Sequence, residues 1–222
     1  MKIILFILFF VFLAWIIDVI HSLWYISKYP LTVIVGKCGS GKSTLASKLM
    51  YEDTKRGWEV LSDYDVKIPK VKTYNGWEFK KGNFLPKGTK KKGVSLYMDE
   101  ASTYFLNRNY KNNINDKALD WWKCHRKYRV KITLISQSWE DLDIVIRRLA
   151  DRYYICSRFI FPTFIMARLV KLRIKVVNNS FDKDGKLKQG GQISEQYYYG
   201  SIFQSKLAWL PYWIRKFDSF RS

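Results

Sequence analysis

The order of apolar and polar positions splits the chain into two regimes. Residues 3–17, "IILFILFFVFLAWII", contain no polar side chain, and Val19, Ile20, Leu23 and Ile26 extend the apolar character past Asp18, His21 and Ser22. A membrane-spanning helix needs about 20 apolar residues, so residues 1–27 are expected to form one transmembrane anchor. The run is long for a cleaved leader and no small-residue cleavage site follows it. Beyond residue 30 the apolar runs become short. "LTVIV" (31–35), "VSLYM" (94–98) and a stretch from residue 130 to 134 or 135 read as buried strands, and Leu45, Leu49 and Met50 in "KSTLASKLMYED" have helical spacing. The expected fold class is α/β: a mostly parallel central sheet flanked by helices, preceded by one N-terminal transmembrane helix. Its expected divisions are an anchor at 1–27, a domain at 31–205 and a basic aromatic tail at 206–222.

Charge changes the picture of what such a domain meets. The chain has 39 Lys and Arg against 19 Asp and Glu, a net charge of +20, which points to anionic partners. Aromatic residues at 17% suit both base stacking and membrane interfaces. Three scattered cysteines and two histidines make a zinc site improbable, and Cys38 within a phosphate-binding motif fits a reducing compartment. Only Lys2 and the terminal amine precede the apolar run, so the N-terminus is expected outside and the domain in the cytoplasm.

The chemistry is concentrated at Gly36-Lys37-Cys38-Gly39-Ser40-Gly41-Lys42-Ser43, which fits G-x-x-x-x-G-K-[ST] without departure. Such a P-loop curls its N–H groups onto phosphate oxygens, and the helix starting near Thr44 adds a partial positive charge. Lys42 is expected to reach the β- and γ-phosphates of ATP, and Ser43 to offer its hydroxyl to Mg²⁺. A second acidic strand end, "LYMDEAS", supplies Asp99 to hold the metal and Glu100 to orient the attacking water, which favours a hydrolase. Gln137, at the end of the third strand, is read either as a γ-phosphate sensor or as a polar strand cap. Arg126, Arg147, Arg148 and Arg152 are candidates for an arginine supplied across a subunit interface.

With these residues in place the chain resembles the zonula occludens toxin (Zot) family of filamentous-phage assembly ATPases. The resemblance rests on the phosphate loop, "LYMDEASTYF", "LDWWKCHRKYRVKITLISQS", "IVIRRLADRYYICSR" and a late "YYYGSIFQS". It implies a P-loop ATPase related to FtsK/HerA translocases, acting at the inner membrane of the host and extruding single-stranded DNA as coat and assembly proteins package it. It also implies a homo-oligomeric ring, and a basic residue at Arg126 among the catalytic groups. One departure is the order of parts, since the family's familiar members place the membrane span after the ATPase.

Residues 67–92 hold nine lysines and one acid, Glu78, among Tyr74, Trp77, Phe79 and Phe84. The segment reads as an extended hairpin or long loop. Its lysines and rings suit single-stranded DNA, while a solvated loop and a lipid-facing loop remain open. "FIFPTFIMARLVKLRIKV" (159–176) is expected to cover the sheet or a neighbouring subunit, and 178–192 to be a polar loop. Alternatives to DNA extrusion are a duplex-DNA packaging or conjugation translocase and a nucleotide-regulated membrane scaffold.

Overall fold

The computed structural model describes residues 2–106, 115–158, 164–176, 193–199 and 206–216. In chain order these form α1 (Lys2–Lys28), β1 (Leu31–Val35), α2 (Lys42–Lys55), β2 (Glu59–Ser62), β3 (Val71–Thr73), α3 (Gly76–Lys80), β4 (Val94–Met98), α4 (Ala101–Tyr104) and α5 (Asp116–Cys124). There follow β5 (Val130–Ser136), α6 (Ile144–Leu149), β6 (Arg152–Arg158), β7 (Phe164–Val176), β8 (Ile193–Tyr199), β9 (Lys206–Trp209) and α7 (Leu210–Trp213), with a 3₁₀ turn at Ile214–Lys216.

The strands join in one sheet of order β3-β2-β4-β5-β1-β6-β7-β8, with β9 also on β7. Every ladder from β3 to β6 is parallel, and β7 pairs antiparallel with β6, β8 and β9. The sheet is therefore mixed, and its parallel part needs cover on both faces. All five side chains of β1 and of β4 are buried. Leu31, Val33 and Val35 join Leu96, Ile132, Phe79, Phe105 and Trp122 in one core layer. Ile34 joins Leu45, Met50, Tyr97, Ile135 and Ile165 in the other. Alternation along each strand thus separates the two layers, and full burial of each large apolar side chain contributes roughly 2 kcal/mol.

The transmembrane anchor expected at residues 1–27 is not borne out: among the described residues no helix is long and apolar enough to cross a membrane. Lys2–Lys28 is helical. Its unbroken apolar run, residues 3–17, rises only about 22 Å at ~1.5 Å per residue, short of a ~30 Å hydrocarbon core. The outside N-terminus and the single-pass inner-membrane location drawn from that anchor are corrected with it.

Segment 67–92 is more ordered than a long loop. β3 adds a parallel edge strand to β2, and Asn75 caps α3 by accepting from the Trp77 N–H at 2.9 Å. Phe79 is fully buried, Tyr74 is buried and stacks on Phe84, and Trp77 stands 48% exposed. Most of the aromatic surface here is therefore spent on the core. Lys206–Trp209, within the stretch read as a tail, is a strand of the sheet. The expectations for 178–192, and those parts of 159–176 and of the tail that fall at 159–163 and 217–222, lie outside the described residues.

One buried acid ties α2 to the sheet. Asp53 Oδ2 accepts from Ser95 Oγ (2.6 Å), Tyr97 Oη (2.8 Å) and Lys131 Nζ (2.6 Å). Removing one partner of a buried pair strands the other charge. Asp53→Ala is expected to lower unfolding stability by about 3 kcal/mol, read from urea denaturation, and Lys131→Met in that background to restore part of it. A loss below about 0.5 kcal/mol would mean that the network is solvated.

Candidate nucleotide site

β1 lies between β5 and β6, in register with both, so its carboxyl end opens at the edge where the parallel strands finish. The chain turns there through residues 36–41 into α2. The Gly36 N–H donates to the Gln137 carbonyl at 3.3 Å, which ties the loop to the end of β5. A Cβ at Gly36 would meet the Cys156 carbonyl oxygen at 2.5 Å, so the close pass along β6 requires glycine there. Gly41 caps α2 at φ 90°, a left-handed conformation that side chains disfavour.

Lys42 is buried, and its ammonium donates to the carbonyls of Gly36 (2.8 Å) and Lys37 (3.1 Å), which places a cation inside the curl of the loop. Lys37, Cys38 and Gly39 form the exposed rim, and Ser40 and Thr44 are buried behind it. The Ser40 carbonyl accepts from Cys156 Sγ, and burial pushes the Cys156 thiol up to about 11. A cavity of about 800 Å³ opens beside the loop, lined by Gly36, Ser40, Gln137, Trp139, Ile155 and Cys156 among others. Ligand pockets commonly span ~300–1,000 Å³, so it is large enough for a nucleotide.

On the other flank of Lys42, Ser43 Oγ donates to Asp99 Oδ2 at 2.5 Å. Asp99 Oδ1 accepts from the Glu100 N–H (2.9 Å), and the Asp99 N–H donates to Asp63 Oδ1 (2.8 Å). Gln137 Nε2 lies 3.5 Å from Glu100 Oε1. Glu100 holds φ 44° and ψ 47°, a left-handed conformation uncommon outside glycine, at the turn that leads β4 into α4. Three strand ends, β2, β4 and β5, thereby deliver acids and one amide to the same edge as the phosphate loop.

Burial holds the Asp99 carboxyl above its usual range, opposed by the Ser43 and Glu100 hydrogen bonds. Burial, and then the neighbouring Asp99 charge, raise Asp63 to about 7 against the backbone hydrogen bond from Asp99. Among the described residues there is no group of three or more His, Cys, Asp or Glu able to hold a metal. Mg²⁺ bound with nucleotide takes only one or two protein oxygens and completes its shell with phosphate and water. A hydroxyl and a carboxylate already within hydrogen-bond distance fit that requirement.

The structure gathers residues 36–44, Asp99, Glu100 and Gln137 at one edge, and it places Arg126 elsewhere. The Arg126 guanidinium pairs with Asp151 Oδ1, while Asp151 Oδ2 accepts from the Leu31 N–H at 2.8 Å. This clasp is at the amino end of β1, about 17 Å of strand away from the loop at ~3.3 Å per residue. Arg152 pairs with Thr32 at that same end. Arg147 is buried, and its carbonyl accepts from the Tyr153 hydroxyl; Arg148 is exposed. Sequence reading missed Asp63, although "EVLSD" carries the signal of an apolar strand ending in an acid directly after the loop's helix. Tyr104 hydrogen-bonds Asp63 as well.

A glycine-rich loop between a strand and a helix, facing a second strand end that carries its acid to the loop's serine, defines the P-loop nucleotide-binding class. Residues 67–166 match the family model Zonular occludens toxin (Zot), and the resemblance read from the chain's motifs is borne out. The matched stretch holds Asp99, Glu100, Arg126 and Gln137. No curated protein matches the chain. Among solved structures, the N-terminal domain of zonular occludens toxin from Neisseria meningitidis is similar at 20% identity over 64% of this chain and 83% of that one, with a TM-score of 0.48. The genome packaging NTPase B204 from Sulfolobus turreted icosahedral virus 2, in complex with AMPPCP, is similar at 20% identity over 58% and 74%, with a TM-score of 0.45. A DnaB-like replicative helicase is similar at 10% identity over 77% and 55%, with a TM-score of 0.47.

Asp63 makes the stability of the folded chain sensitive to pH. Its folded-state value near 7 lies above the ordinary 3.8, so the folded chain keeps a proton that the unfolded chain releases. Stability from this group is complete below about 4 and is lost as pH rises towards 7. In divalent-free buffer the urea midpoint is expected to fall over that window, and Asp63→Asn to flatten the fall. An unchanged slope in the variant would show that Asp63 ionises normally in the folded chain.

Proposed function

We propose that the chain is an ATPase that binds ATP with Mg²⁺ at this edge and couples hydrolysis to the movement of single-stranded DNA during filamentous-phage assembly. The observation that carries the reading is the 2.5 Å hydrogen bond from Ser43 to Asp99. It brings together the two oxygen groups that a nucleotide-bound Mg²⁺ uses in P-loop enzymes, beside a lysine already buried in the loop. When bound, the metal supplies charge neutralisation between the phosphates.

The chain's own groups divide the remaining work. The N–H groups of residues 36–44 and the start of α2 hold the phosphates. Lys42 leaves the carbonyls of Gly36 and Lys37 for phosphate oxygens, a better partner for an ammonium. Glu100 orients the attacking water, and Gln137, which now meets only the Glu100 carboxylate at the limit of a hydrogen bond, reads the γ-phosphate. Arg126 serves from a neighbouring subunit in a homo-oligomeric ring. For that role it would have to exchange its Asp151 partner.

The lysines of 67–92 track the DNA backbone. Trp77, exposed with Lys80 over its ring at 5.4 Å, offers the stacking face. It packs edge-on against Tyr104, whose hydroxyl meets Asp63, so the DNA-facing ring is two contacts from the acid beside Asp99. Phage coat and assembly proteins are the partners this work requires.

The test is ATP hydrolysis by the full-length protein with and without circular single-stranded DNA. Stimulation by DNA is expected, and Lys42→Ala and Glu100→Gln are each expected to reduce the rate by about 100-fold, with Glu100→Gln still binding ATP. Hydrolysis that survives Glu100→Gln, or that ignores single strands while responding to duplex, would overturn the reading.

A further inference from the structure

A second cavity lies between α2 and the sheet, away from the phosphate loop. It measures about 380 Å³ and sits near the amino ends of the central strands, where Thr32, Lys131, Thr133 and Tyr154 form the floor and Leu45 and Leu49 of α2 form a wall. Its charged lining is lopsided: Lys28, Arg56, Lys131, Arg152 and Lys206 against Glu52 alone. Asp53, the buried acid that holds Lys131, also lies 3.6 Å from Arg56 Nη1. Even with Asp53 counted, cations outnumber acids five to two.

The floor adds an independent observation. Thr133 is 1% exposed, and its Oγ1 is buried without a hydrogen-bond partner in the protein. A buried hydroxyl left unpaired costs about 1–3 kcal/mol, and Thr133 is among the residues that line the cavity. Burial lowers the Lys131 ammonium; Asp53 raises it, and the nearby Arg56 and Lys206 charges lower it again. An anion in the cavity would relieve that crowding. Trp58 and Tyr154 supply ring surface beside the charges.

We propose that this cavity is a second anion site, distinct from the phosphate loop, that takes a small phosphorylated molecule, with its phosphate against the basic lining and the Thr133 hydroxyl. Phosphate offers several acceptor oxygens, which suits two or three ammonium and guanidinium groups and one hydroxyl at once. The volume is at the lower end for ligand pockets and admits a diphosphate or a mononucleotide but not a folded peptide. α2 forms the wall here and begins at the phosphate loop, so the two sites share one helix. The inference stands on the cavity and its charges, independent of the hydrolysis reading.

The probe is pyrophosphate, titrated into the full-length protein by isothermal calorimetry. Two sites are expected in the native sequence, one in Lys42→Ala, and one in Lys206→Glu, whose position on the exposed edge of β9 leaves folding intact by circular dichroism. In the Lys42→Ala background, Thr133→Val is expected to weaken the remaining site by about tenfold, the worth of one charge-assisted hydrogen bond. A single site in the native sequence that Lys42→Ala abolishes would overturn the proposal. So would a second site that neither Lys206→Glu nor Thr133→Val disturbs, or a Lys42→Ala protein that takes up a single-stranded oligonucleotide but no pyrophosphate.

Discussion

The five residues of β1 have hydrogen-bonding neighbours on both edges and packed layers on both faces, and the position of the phosphate loop and of the acids beside it follows from where that strand stops. Leu31 to Val35 run in register with Ile132 to Ser136 of β5, and Thr32 to Val35 with Arg152 to Ile155 of β6. A slip of one residue would send Leu31, Val33 and Val35 into the layer occupied by Ile34 and expose the aromatic layer to Thr32. At the amino end, Asp151 receives the Leu31 N–H and is itself held by Arg126. Held so tightly, the strand delivers Gly36 to the ends of β5 and β6 with little freedom, and Lys42 and Ser43 follow at the start of α2.

That placement creates an electrostatic problem at the carboxyl edge. Asp63 and Asp99 are pressed together by the hydrogen bond that the Asp99 N–H donates to the Asp63 carboxylate just past the ends of β2 and β4, and both carboxyls are raised, by burial first. The remaining charge balance comes from Lys42, which also lowers Asp99. Two crowded acids beside a buried lysine would be relieved by a phosphate and a divalent cation arriving together. The phosphate would satisfy the lysine and the loop N–H groups, and the cation the acids. The left-handed Glu100 fits the same logic, because a residue held in a costly conformation beside such an edge needs its neighbours to fix it there.

Much of this was legible in the residues themselves. The loop motif, β1, α2, β4 and β5 announce themselves through local signals: glycine spacing, β-branched runs and helical periodicity. Asp99 and Glu100 are found because they end an apolar run. Asp63 escaped because its strand, Glu59–Ser62, is only four residues long, and its importance lies in a register with β4 that sequence spacing does not encode. β5 carries the chain from one edge of the sheet to the other and leaves Arg126 at the far end of its own subunit from the phosphate loop, held by Asp151, so the role read for it requires a neighbouring subunit's site. The apolar N-terminal run misled by composition, since about 20 apolar residues are needed and its unbroken part is shorter. The aromatics of 67–92 were read as a stacking surface, yet Tyr74 and Phe79 are drawn into the core by Trp121 and Trp122, which leaves Trp77 for partners.

The central claim is that Ser43 and Asp99 together form the protein's share of a metal site that operates only with nucleotide. It is tested most directly by the affinity of a fluorescent ATP analogue, measured with and without Mg²⁺, in the native sequence and in Asp99→Asn. The expected result is tighter binding with Mg²⁺ in the native chain and a much smaller gain in the variant, with metal-free affinity similar in both. An equal gain from Mg²⁺ in the two proteins would contradict the account, because the metal would then be held without the carboxylate that meets Ser43.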